Sequence, residues 1–76
     1  MVEIGKRGRI QNGEYAGWDI IIEDDAENTG GYLVLISAGH GKPREGYDDW
    51  VETKDDLGKY MEESGWIVDW QPSDSI

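Results

Sequence analysis

Between Trp18 and Glu23 the chain alternates, with Trp18, Ile20 and Ile22 on one side of an extended segment and Asp19, Ile21 and Glu23 on the other. That is the period of a strand with one face in a core and the other mostly wet. Before it, Lys6 to Gln11 reads as a first strand, closed by Asn12-Gly13, a dipeptide suited to a tight hairpin turn. Glu14 then begins the return, and Gly17 interrupts the pattern just before Trp18. After a polar loop from Asp24 to Gly30, the segment Gly31-Tyr32-Leu33-Val34-Leu35-Ile36-Ser37 is apolar on both faces, the composition of a central strand covered on both sides. These segments predict a three-stranded antiparallel sheet.

From Ala38 to Gly46 the glycines and Pro43, without apolar periodicity, predict a mobile loop. Tyr47 to Glu52 adds a short strand or an extended segment. Thr53, followed three residues later by Asp56, resembles a capping box, and Asp55 and Asp56 suit the positive end of a helix dipole. A helix is therefore expected to start at Lys54, to place Leu57, Tyr60 and Met61 on one face, and to stop at Gly65 after about three turns. Alternation returns in Trp66-Ile67-Val68-Asp69-Trp70, and residues 72–76 read as a flexible tail. The fold class expected is α+β: a small twisted antiparallel sheet in strand-strand-strand-helix-strand order, packed on one helix, with residues 1–76 forming a single domain.

Seventy-six residues bury only roughly 60% of the surface exposed on unfolding, so the margin of stability is slim. The absence of cysteine removes disulfide staples and thiolate metal sites, which suits a reducing compartment. The N-terminus lacks the charged start and apolar stretch of a signal peptide, and no apolar run approaches the ~20 residues that cross a bilayer. A cytoplasmic protein without membrane contact is expected. The formal charge of −10 is polarised, at about +1 for residues 1–18, −3 for 19–44 and −8 beyond, where three of the four tryptophans also lie. Such polarity points to a basic partner and away from direct nucleic-acid binding, which requires Lys and Arg to displace counterions.

No reaction centre emerges. His40, the lone histidine, sits between glycines where a general base lacks rigid orientation. Gly39-His40-Gly41-Lys42 has neither the first glycine of a phosphate loop nor a Ser or Thr after Lys42. Glu23-Asp24-Asp25 with Asn28 lacks the alternation and the acidic twelfth position of a calcium loop, because Ala26 stands where a ligand is wanted. Paired carboxylates for glycoside hydrolysis have too little chain around them to enclose a substrate. Neither enzyme activity nor a cofactor or metal is expected.

Trp18 and Trp66 alternate with core-type residues, and Trp70 closes the edge of that core. Trp50 has two readings, as a plug between helix and sheet or as a binding anchor among carboxylates. The candidate partner-binding set is Tyr47 and Trp50 as anchors, with Asp48, Asp49, Glu52, Asp55, Asp56, Glu62 and Glu63 as a steering field. Gly17-Trp18-Asp19-Ile20-Ile21-Ile22, Thr29-Gly30-Gly31-Tyr32-Leu33, Asp49-Trp50-Val51-Glu52 and Ser64-Gly65-Trp66-Ile67-Val68-Asp69-Trp70 together resemble the small acidic immunity proteins of bacterial toxin–immunity systems. The resemblance implies a non-catalytic inhibitor that binds a cognate toxin domain, often a basic nuclease, and occludes its active site. It assigns no individual binding residue. The alternative is an acidic adaptor or accessory subunit of a protein complex, a homodimer through an open sheet edge being one form; monomer and weak dimer both remain open.

Overall fold

The computed structural model describes residues 3–38 and 46–71. The expected loop around His40 and the expected tail at 72–76 lie outside the described residues. Five strands and one helix follow in the order β1 (Arg7–Ile10), β2 (Asp19–Asp25), β3 (Gly31–Ser37), β4 (Gly46–Val51), α1 (Lys54–Ser64) and β5 (Val68–Trp70). All pairings are antiparallel, in the spatial order β4-β3-β2-β1-β5. The α+β class stands, but four strands precede the helix rather than three. The fourth is Gly46–Val51, where the sequence left a short strand or an extended segment open; it is an edge strand whose residues are nearly all exposed, so burial alternation could not decide between the two.

The β1–β2 connection also departs from the expected two-residue hairpin. Residues 14–17 form turns rather than a returning strand, with Ala16 N–H donating to the Gly13 carbonyl and Trp18 N–H to that of Tyr15. The side chain of Asn12 looks elsewhere. Its Oδ1 accepts from Ile67 N–H at 2.7 Å and its Nδ2 donates to the Gly65 carbonyl at 3.0 Å. Asn12 therefore ties the end of the helix to the start of β5.

One face of the sheet holds the core. Ile10, Ile20, Ile22, Val34 and Ile36 are buried there beneath Leu57, the one fully buried side chain of α1. Trp18, Tyr60, Met61, Trp66, Val68 and Trp70 pack around them. The helix begins where Thr53 Oγ1 accepts from Asp56 N–H at 3.0 Å and ends at Gly65, whose φ of +72° is costly for any residue with a Cβ. Because α1 joins the two edge strands, it spans the core face from β4 to β5.

The opposite face presents Arg7, Arg9, Asp19, Ile21, Glu23, Leu33, Leu35, Asp48, Trp50 and Asp69, and no described element packs on it. β3 is thus covered on one side rather than both, and it lies next to the β4 edge rather than at the centre. Asp19, expected to be wet, is only 7% exposed. Arg9 grips it through Nε and Nη2, both at 3.2 Å from Oδ1, and Arg7 approaches Oδ2 at 3.6 Å. The basic N-terminal segment is therefore partly spent inside the fold.

Candidate functional site

Alternation along β4 separates the residues expected to act together. Tyr47 pairs with Ile36 and Asp49 with Val34, so both point toward the helix side, whereas Asp48 and Trp50 pair with Leu35 and Leu33 on the uncovered face. Trp50, 47% exposed, is consequently no plug between helix and sheet. Its indole Nε1 donates to Thr29 Oγ1 at 2.8 Å, which pins the ring to the β2–β3 turn.

Tyr47 belongs to an aromatic cluster with Tyr15, Trp18, Tyr60 and Trp66, built from edge-on contacts such as Tyr15–Tyr47 at 5.6 Å and Tyr15–Trp18 at 4.9 Å. Tyr60 donates its hydroxyl to Asp49 Oδ2 at 2.5 Å. Burial, and then this bond to a carboxylate that would repel a phenolate, hold the Tyr60 phenol well above its usual ionisation range. Burial and the neighbouring Tyr15 hydroxyl push Tyr47 in the same direction. Asp49 is thereby engaged in holding the helix to the sheet.

Glu52 is exposed in the link into α1. Within the helix, Asp55 and Glu62 lie two turns apart on one stripe, and Asp56 and Glu63 on the adjacent stripe, all four exposed. Asp55 and Asp56 complement the positive end of the dipole. Glu62 and Glu63 do not: they occupy the last turn, which contains no basic residue, at the pole that favours cations.

Beside this face a groove of about 770 Å³ runs between α1 and β5. Met61, Trp66, Ile67, Val68 and Trp70 form its apolar part, while Lys54, Asp55, Lys59 and Glu62 form the charged rim. Gly58 leaves a bare stretch of helix wall, with open space where a Cβ would stand. Ile67 is 63% exposed, the largest exposure among the big apolar side chains described. Sequence reasoning gave Trp66 and Trp70 to the core, where they do pack, and missed that their outer sides line a groove. The exposed Ile67 between two tryptophans was the available signal.

Other candidates dissolve into local structure. Asp24 Oδ1 accepts from Ala26 N–H and Asp25 Oδ1 from Asn28 Nδ2, so the acidic β2–β3 loop spends its carboxylates on its own turn. Among the described residues no group of three His, Asp or Glu converges to hold a metal, and no buried side-chain polar atom lacks a partner. No described helix is long and apolar enough to cross a membrane. Comparison with protein-family models, curated proteins and solved structures gave no significant match.

Proposed function

We propose that this chain is a non-catalytic acidic binding protein, an immunity-type inhibitor that neutralises a basic toxin or nuclease by stoichiometric docking through the outer face of α1 and the adjoining groove. The observation that carries the reading is the placement of Glu62 and Glu63. Two carboxylates at the negative pole of a helix work against folding, by about 0.3–1 kcal/mol each, and neither makes an ion pair among the described residues. Gly58 is a second such feature, since a helix-interior glycine costs roughly 0.5–1 kcal/mol relative to alanine while leaving the groove wall open. Residues that weaken the helix at one exposed surface are accounted for by what that surface meets. A negative field there accelerates encounter with a cationic surface by ~10 to 10³, and the Trp66, Ile67 and Trp70 side chains supply apolar contact that slows release.

An acidic adaptor or accessory subunit is the second reading, favoured by the uncovered sheet face around Ile21 and Leu35. The two separate in one experiment. The chain is used as bait at low salt, with the products of neighbouring genes as explicit prey, and any basic protein retained at equimolar ratio is assayed for activity with and without it. Stoichiometric inhibition supports the inhibitor. A captured protein that keeps its full activity leaves the adaptor. A scatter of basic proteins that elute together at modest salt makes the acidity solubilising only.

A further inference from the structure

We infer that the uncovered face of the sheet is the interface of a two-fold homodimer, independently of what the acidic helix meets on the other side. One row of side chains crosses that face from edge to edge. The register places Arg7 beside Ile21, Ile21 beside Leu35 and Leu35 beside Asp48. The row is therefore basic at one end, acidic at the other and apolar between.

β2 and β3 are flanked symmetrically by β1 and β4. A two-fold axis parallel to the strands, lying between β2 and β3, sets Ile21 on the second copy's Leu35 and Arg7 over its Asp48, and the reverse pair follows by symmetry. Sheets packed face to face stand about 10 Å apart with nearly aligned strands, within reach of these side chains from both sides. Arg7 has donors to spare. Its side chain is 61% exposed and touches Asp19 only through Nη1, at 3.6 Å, out of the five N–H groups a guanidinium carries. Asp48 is exposed and takes no ion pair among the described residues. Along this row a second copy sets each charge opposite its counterpart, Arg7 over Asp48 and Asp48 over Arg7.

Sedimentation velocity across micromolar to millimolar concentrations should show twice the 8.6 kDa chain mass. Asp48→Arg, which sets arginine against arginine, should raise the dissociation constant at least tenfold with the circular dichroism unchanged. A short bis-thiol-reactive crosslinker, matched to sheets that stand about 10 Å apart and so beyond the reach of a direct disulfide, supplies the geometric test. An equal mixture of Arg7→Cys and Asp48→Cys chains should crosslink, while each variant alone should not, because the axis pairs position 7 with 48. A wild type that stays monomeric to millimolar concentration overturns the inference, as does crosslinking of the Arg7→Cys variant alone. So does an Asp48→Arg chain that dimerises as tightly as the wild type.

Discussion

Trp50 lies across Gly31. A Cβ built on Gly31 would stand 2.7 Å from the indole Nε1 and Cε2, and closer still to the Val51 carbonyl oxygen. The same device recurs at the other end of the sheet and on the other face, where a Cβ on Gly8 would meet Val68 Cγ1 at 2.5 Å and Trp70 Cε3 at 2.8 Å. Each edge strand is thus fixed by a tryptophan laid over a bare glycine of its neighbour. Gly31→Ala is expected to cost about 1–3 kcal/mol through overpacking, read as a lower urea midpoint. Trp50→Ala in that background should recover part of the loss, since it removes one of the two clashes. A Gly31→Ala chain as stable as the wild type would show that the edge yields freely.

Glu62→Lys and Glu63→Lys should each stabilise the chain by roughly 0.3–1 kcal/mol, because a cation at the last turn suits the dipole. If the acidic face steers a basic partner, the same substitutions should slow association and flatten its dependence on salt. Stopped-flow mixing with the partner and thermal melts measure the two effects separately. Variants that gain stability and keep the wild-type association rate would remove the steering argument.

The Tyr60 and Tyr47 phenols are both held above their ordinary range. A group whose folded pKa is raised contributes stability that is complete below its unfolded value, near 10 for tyrosine, and is lost as pH climbs beyond it. Resistance to urea should accordingly fall from about pH 10 upward. Tyr60→Phe should make that fall shallower, and the difference in phenolate absorbance between wild type and Tyr60→Phe, which reports Tyr60, should rise with unfolding rather than before it. A Tyr60 phenol that ionises normally in the folded chain contradicts the hydrogen bond to Asp49.

Asp19→Ala is expected to be destabilising by about 1–3 kcal/mol, the range for losing a charged hydrogen-bonding group from a buried site. The two arginines should not be equivalent. Arg9 contacts the carboxylate through two nitrogens and Arg7 through one at a longer distance. Arg9→Met should therefore lower the melting temperature more than Arg7→Met, and the reverse order would sink this account of the clamp.

Local rules made several of these elements legible in the sequence. Alternation assigned Ile20 and Ile22 to the core, the apolar run fixed β3 to the residue, and Thr53 and Gly65 marked both ends of α1. What escaped depends on partners distant along the chain. Asn12-Gly13 satisfies the hairpin rule, yet Asn12 bonds to Gly65 and Ile67, a use that only the docking of β5 on β1 makes available. Asp19 occupies the wet phase of its strand and is buried because two arginines of β1 fold over it. The candidate site was partly legible. The carboxylates of α1 do share its outer side, but strand parity divides Tyr47 from Trp50, and the exposed β4 gives no core pattern from which to read which way each points.

The pairing of β1 with both β2 and β5 has a consequence for synthesis. As the chain leaves the ribosome, β1 gains its first neighbour early, but its outer edge and the bare backbone at Gly8 wait until Val68 and Trp70 have emerged after the whole of α1. The nascent chain therefore carries an open, glycine-thinned edge until β5 has emerged. Closing that edge requires β5, so a premature stop within β5 should leave a protein that keeps its central strands and is drawn into edge-to-edge association.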